Sequence, residues 1–477
     1  MATIHTGATL SPSKVELLTA WIGSQRWYAA KGRTPQLRRL FAWRLDDPAG
    51  EVGVESIVIA DDATTPPLVY QIPLTYRGTP LPGGEHALVG TLDHSVLGHR
   101  YVYDAPHDPV YAERLFALAT GAAEAVSSTT DDTPEEAVSG TGVSQGWRLI
   151  SSRVLSGEQS NTSIIGMAVD ADGGVHPVIT KVFRALAAGE NPDVVLQGAL
   201  AAAGCTRVPA SLGAISGAWP SADGGQAHGH LAFAQEFLPG AQDAWREALT
   251  AAGSATSFAA RAKALGEATA EVHAILASEL PTEAADPGRI GEIVAEMRAR
   301  FAAAAAEVPP LATYRDDIDA VYAAAEAAQW PDFQRIHGDY HLGQVLDIPD
   351  RGWVLLDFEG EPLRPLAERT RTDQPLRDVA GMLRSFDYAG GSVEQGTRGL
   401  SARDWVAEAQ QSFLDGYTGF SGRDPRTAGP LLDAFLVDKA LYEVVYEARN
   451  RPAWIDIPLT AIDRLFRNED ATKEDQP

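Results

Sequence analysis

The chain predicts an α+β fold in which two strand-rich modules precede a helical one, and three observations carry that prediction. Up to about residue 240, short apolar runs alternate with Pro, Gly and Asp clusters, the pattern of strands joined by turns. From about residue 241 onward, Ala-rich segments place apolar residues at helical spacing. Among these helices lies one Gly-containing loop, then a short apolar run, 353–356, that ends in an acid, Asp357. At 477 residues the chain is too long for one compact core, so two or three domains are expected.

The elements follow in order. Residues 11–22 predict an amphipathic helix with Ser11 as cap and Pro12 at the first helical position. Strand-like runs at 40–45, 52–60, 68–76 and 99–104 complete an α+β module over 1–108 with its own core. Trp21, Trp27 and Tyr28, flanking Gln25 and Arg26, are expected in that core. After a helix at 109–120, residues 121–146 are rich in Ala, Ser, Thr, Asp and Gly. Such a composition buries too little apolar surface to order itself, so a flexible insertion is expected. Gly140-Thr141-Gly142 within it lacks G-x-G-x-x-G spacing and precedes a strand, so it is no dinucleotide loop. Strands at 147–155 and 162–169 are joined by Ser156-Gly157-Glu158-Gln159-Ser160-Asn161. A third, at 175–183, carries Lys181 and follows a tight turn at 170–174. Asn191 caps a helix at 192–203. Strands at 208–214 and 230–237 are separated by a polar, Gly-rich excursion over 216–229. Helices are expected at 241–249, 258–278, 290–307, 318–328, 379–388, 402–418 and 430–449. The expected regions are therefore 1–108, 109–240 and 241–477.

The chemistry is concentrated in His337-Gly338-Asp339-Tyr340-His341-Leu342-Gly343-Gln344 and in Leu355-Leu356-Asp357-Phe358-Glu359. An Asp, an amide five residues on, and a second Asp after a strand is the arrangement of ATP-dependent kinases. The first accepts the acceptor's hydroxyl proton, and the other two hold the Mg²⁺ that bridges the phosphates. The bland alternative, a His-Gly-Asp turn, accounts for none of the spacing. Zinc on His337 and His341 would need H-E-x-x-H on a helix, whereas Gly338 and Gly343 speak for a loop.

On this reading residues 109–240 have the outline of a kinase N-lobe, and its parts can be named. Gly157 and Ser160 lie in a hairpin tip whose backbone could cover the phosphates. Lys181, inside an apolar strand, needs a partner, and the ATP phosphates supply one. Which carboxylate pairs with it is open, with Glu190 and Asp193 near the following helix start. The segment from Glu236 to Leu238 reads as a hinge whose backbone meets the adenine edge. No G-x-x-x-x-G-K-[ST] string occurs, which excludes the P-loop class.

Composition narrows the partners. A formal net charge of −25 argues against nucleic acid or anionic membrane as a partner. One cysteine, Cys205, excludes a disulfide framework. The N-terminus lacks signal-peptide character and no apolar run reaches spanning length, so a cytoplasmic protein is expected.

The strings Arg335 to Gln344, Leu356 to Pro362, Asp378 to Tyr388 and Asp438 to Pro452 closely resemble the actinobacterial maltokinases. Gln25-Arg26-Trp27-Tyr28-Ala29 is similar to the same family and to the kinase half of trehalose synthase–maltokinase fusions. His-Gly-Asp by itself is shared with aminoglycoside and choline kinases. The resemblance covers nearly the whole chain, with 121–146 and 216–229 as insertions. It implies a bilobal protein-kinase-like fold of the aminoglycoside-phosphotransferase type with an extra N-terminal α+β cap. It also implies ATP- and Mg²⁺-dependent phosphorylation of maltose to maltose 1-phosphate for α-glucan synthesis, and it allows a trehalose synthase as partner. Asp339 would be the base, Gln344 and Asp357 the Mg²⁺ ligands, and Lys181 the phosphate lysine. Lys439, Tyr442 and Glu443, spaced i, i+3, i+4, would line the sugar site. A glucosamine kinase of the same fold and a catalytically silent sugar- or nucleotide-binding protein are the rival readings.

Overall fold

The structure, a computed structural model, describes residues 5, 7–129, 133–142, 146–155, 161–361, 364–396 and 401–473. They form two compact units, one of residues 1–195 and 209–239, the other of residues 196–208 and 240–477.

Two antiparallel sheets build the first unit. In spatial order one runs Leu10–Ser11, Leu88–His94, Gly98–Asp104, Leu68–Arg77, Gly53–Asp61, Leu37–Leu45 and Val126–Ser127, with Ala185–Leu186 added to Leu68–Arg77. The other runs Val138–Gly140, Ser211–Pro220, Gln226–Glu236, Val175–Phe183, Asn161–Val169 and Arg148–Val154. Strand Gly53–Asp61 and the middle of Leu68–Arg77 are buried on both faces because each face has its own cover. Leu18, Ile22, Trp27 and Tyr28 close one core with Ile57, Ile59, Tyr70 and Ile72. Trp43, Val54 and Val58 share another with Tyr111, Leu115 and Phe116 of helix Pro109–Ala119, and with Ile164, Val182 and Phe233 of the other sheet.

Residue 108 therefore does not separate two cores. Polar ties cross it as well. Buried Arg184 donates from Nη2 to both oxygens of Asp104 at 2.7 and 2.8 Å, and Gln71 Nε2 donates to the carbonyls of Phe183 and Leu231. A hydrogen-bonded carboxylate as counter-charge is what makes such burial tolerable.

Four local expectations change. The first helix is Lys14–Ile22, capped by Ser13 in a reciprocal box with Glu16, and Ser11 lies in a strand. Strand Leu88–His94 was not expected, because Gly90 breaks its apolar alternation at a bulge. Within 121–146, Val126–Ser127 and Val138–Gly140 join the two sheets, with Ala125 and Val138 buried. Glycine is what permits this: a Cβ on Gly140 would sit 1.8 Å from the Leu118 carbonyl oxygen. Finally, most of 216–229 is ordered hairpin, Ser211–Pro220 with Gln226–Glu236, and Trp219 is buried in it.

The second unit is helical around a small sheet of Gln242–Asp243, Val345–Ile348 and Gly352–Leu355. Helices Ala259–Glu279, Pro287–Glu307, Arg315–Ala327, Pro375–Gly396, Arg403–Ser421 and Gly429–Asn450 enclose one core that includes Trp353, Phe358, Phe386 and Phe413. Helix Pro375–Gly396 begins four residues earlier than expected, which puts Asp378 in its first turn. Among the described residues no helix is long and apolar enough to cross a membrane.

Candidate active site

The loop from His337 to Gln344 leads into the hairpin Val345–Ile348/Gly352–Leu355, and Asp357 follows two residues after that hairpin. The apolar strand places the acid by anchoring Trp353, Val354 and Leu355 in the core. Asp357 adopts φ +63°, a left-handed conformation uncommon away from glycine, and such strain tends to collect at functional positions. Gln344 Nε2 donates to Asp357 Oδ2 at 3.2 Å, so the two expected metal ligands do meet. Both offer oxygen, as a hard divalent cation requires, once the amide turns its oxygen inward. The pair therefore fits Mg²⁺.

The loop is fixed from beneath. His337 is buried, its Nε2 donates to the Leu356 carbonyl at 2.8 Å, and its ring packs on Phe358 with centroids 4.6 Å apart. Gly338 takes φ +82°, which suits a glycine. Sequence reasoning missed what holds these two residues. The buried Asp378 carboxylate accepts the His337 and Gly338 N–H groups at 2.8 and 2.9 Å and pairs with His273 Nε2 at 3.0 Å. Burial pushes its pKa up, but His273, His337 and the Gly338 N–H outweigh that, and it lies below the usual Asp range. An acid in the first turn of an apolar helix was the available signal, and it reads as an ordinary cap.

Asp339 accepts from Lys439 Nζ at 3.1 Å, and the same ammonium donates to buried Glu361 at 2.8 Å. Arg364 reaches the other oxygen of Glu361 at 2.7 Å. Burial raises the Asp339 carboxyl, yet Lys439, His341 and His337 bring it below the ordinary value. Burial alone would weaken the Lys439 ammonium, but Glu361 and Asp339 hold it firmly charged. Tyr442 lies beside it, with Nζ 4.8 Å from the ring centroid. Burial and nearby Glu361 raise the Tyr442 hydroxyl to about 12, so it stays protonated.

Lys439, Tyr442 and Glu361 line a cavity of about 490 Å³ within this unit, with Gly338, Arg377 and Phe435 among its other walls. Glu443, expected beside them, turns elsewhere. It takes Arg384 Nη2 at 2.7 Å and does not line the cavity. Helical spacing put all three on one side, but the buried guanidinium of Arg384 needed a carboxylate and took this one.

The first unit carries the remaining expected residues. Lys181 Nζ meets Asp193 Oδ2 at 2.7 Å, which answers which carboxylate pairs with it. Asp193 is in the first turn of helix Pro192–Ala202. Glu236 ends its strand with its carboxylate on the Ala210 N–H at 3.1 Å. Leu238 lies two residues beyond the end of that strand. Gly157 and Ser160 lie outside the described residues.

Two family models match the chain: the maltokinase N-terminal cap domain over residues 21–108, and the phosphotransferase enzyme family over residues 194–428. A glucosamine kinase of Streptacidiphilus jiangxiensis is 32% identical over 333 residues, 65% of this chain and 72% of its own length. The chain belongs to the phosphotransferase enzyme family. It is one of the phosphotransferases that carry the maltokinase cap. A glucosamine kinase of Mycolicibacterium smegmatis is 28% identical over 334 residues, 66% of this chain and 79% of its own. In fold the phosphotransferase is similar to a glucosamine kinase solved in complex with glucosamine, ADP and inorganic phosphate. The TM-score is 0.66 at 24% identity, covering 95% of this chain and 99% of the other. The kinase-like α+β fold with an N-terminal cap, expected from the sequence, is thus the fold found.

Proposed function

We propose that this phosphotransferase is an ATP-dependent sugar kinase that transfers phosphate to the anomeric hydroxyl of maltose. Asp339 orients that hydroxyl and accepts its proton, and Lys439 keeps the carboxylate ionised for the task. Gln344 and Asp357 would hold Mg²⁺, which when bound neutralises charge between the phosphates. Lys181, oriented by Asp193, would hold the phosphates of ATP, with Gly157 and Ser160 covering them and the Glu236–Leu238 backbone on the adenine.

One observation carries the choice of a neutral sugar: the buried carboxylates lining the cavity already have hydrogen-bonding partners. Glu361 is held by Lys439 and Arg364, Asp438 by Arg300 and Arg377, and Asp378 by His273. An amino sugar's ammonium would compete with those partners, whereas hydroxyls accept and donate around them. Tyr442 offers the aromatic face that a sugar ring stacks on. The match to the maltokinase cap supports the same reading, as does the resemblance of the Asp438–Pro452 string to maltokinases. A second reading, glucosamine as acceptor, is favoured by the two relatives that bear that name.

Phosphorus NMR of the product, with maltose, glucose, trehalose and glucosamine offered in turn, separates them. A doublet from an anomeric phosphate with maltose, and far slower turnover of the other three, is expected. Glucosamine outperforming maltose, or phosphate on the six-position, would overturn the maltose reading and leave the kinase reading intact.

A further inference from the structure

The cavity at Lys439 is longer than a single sugar ring requires. Two helices form its long walls, Pro287–Glu307 and Gly429–Asn450, and two ion pairs show that they run the same way. Arg300 meets Asp438 at 2.8 Å near the reacting end, and Arg449 meets Glu307 at 2.7 and 2.8 Å at the other. All four residues line the cavity. From Lys439 to Arg449 the helix advances ~15 Å.

The walls change in character along that length. Charge is dense at the reacting end, where Lys439 meets Asp339 and Glu361. Tyr442 follows, with its ring beside the ammonium. Beyond it the surface is small and apolar, with Val445 on one helix and an exposed Ala303 on the other, which leaves the groove open. At the far end stands the Glu307–Arg449 clasp, and the Arg449 side chain is 56% exposed, so the groove meets solvent there.

An ion pair this exposed adds little to stability. It does keep hydrogen-bonding capacity in hand. A carboxylate has about four acceptor sites and a guanidinium five donors, and their bidentate pairing uses only part of each. Adjacent hydroxyls on a sugar ring can satisfy both. The spacing then sets the length of the ligand. Arg449 lies seven residues past Tyr442, ~11 Å along the helix, which is the reach of two further rings in a linear glucoside. With the first ring on Tyr442, the second crosses Val445 and Ala303 and the third arrives at the clasp.

We propose that this cavity is an oligosaccharide groove, in which the third ring of maltotriose is held by Glu307 and Arg449 while its reducing end is phosphorylated. The anomeric oxygen takes the γ-phosphoryl group of ATP, its proton passes to Asp339, and ADP leaves. The inference rests on the neutral-glucoside reading above and adds chain length to it. Glu307 and Arg449 act on acceptor length, through binding energy remote from the reacting hydroxyl.

Initial rates with maltose and maltotriose test it, for the unsubstituted chain, Arg449→Met and Ala303→Leu. Both positions are exposed on helices and both replacements are good helix formers, and thermal melts check the fold. Maltotriose is expected to match maltose in kcat/KM to within about threefold or to exceed it. Arg449→Met should raise KM for maltotriose about tenfold and that for maltose less than about threefold, with kcat little moved. Ala303→Leu narrows the groove and should penalise the trisaccharide in the same sense. Maltose turned over with maltotriose about tenfold or more poorer would overturn the groove and leave the maltose reading standing. Equal penalties on the two sugars, or none, in both folded variants would do the same. Turnover of neither sugar would overturn both readings.

Discussion

Asp339 owes its charge to a residue one hundred positions away in sequence, Lys439. Because the Asp339 pKa is depressed, the group stays ionised from neutrality down to the ordinary carboxylate range near 3.8. The stability it contributes is present above that value and is lost as pH falls through the lower folded value. Turnover should therefore show no acid limb from Asp339 between about pH 5 and 8. Lys439→Met removes the counter-charge while burial remains, so a pH–kcat profile should acquire an acid limb moved upward by about one unit or more. An unmoved profile would separate the two residues. Asp339→Asn should leave ATP affinity nearly unchanged and cut kcat by roughly 10²–10⁴-fold in steady-state assays. Asp339, Gln344 and Asp357 were legible because loop, strand and acid follow one another along the chain. The bridge from Lys439 to Glu361 was not, since helical spacing shows which side a residue is on and not what waits there.

Whole elements show the same division between what neighbours in sequence decide and what tertiary contacts decide. The strand Val175–Phe183 was readable to the residue, because apolar runs and the Asp170–Gly174 turn specify it locally. Val126–Ser127 and Val138–Gly140 were not, since small polar residues gain their order from backbone pairing with strands far away in sequence. Glycine at 140 should be essential to the second of these. Gly140→Val should lower the melting temperature, at a cost of about 3 kcal/mol or more, because the obstacle is backbone and cannot step aside. Ser139→Val, at the adjacent exposed position, should change it little. At the start of helix Pro375–Gly396, Asp378→Ala would strand two backbone N–H groups and the His273 ring. A loss of about 3 kcal/mol or more in chemical denaturation is expected, together with a fall in kcat as the loop loses its anchor.

At the scale of the molecule, two compact units with separate cores should not unfold as one. Scanning calorimetry is expected to give a measured enthalpy larger than the van't Hoff value, and a single two-state transition would contradict it. Relatedness and folding also draw different boundaries here. The cap family model ends at 108 and the phosphotransferase model begins at 194, yet one core takes Trp43 and Val58 from one side of that interval and Phe116 and Val182 from within it. Asp104 and Arg184, clasped across the end of the cap model, would each lose their buried counter-charge if the cap were removed there. The cap is thus a module of descent without being a module of assembly. A lineage could not have lost it in one step, nor can a protein engineer graft it elsewhere, without rebuilding the sheet that it completes.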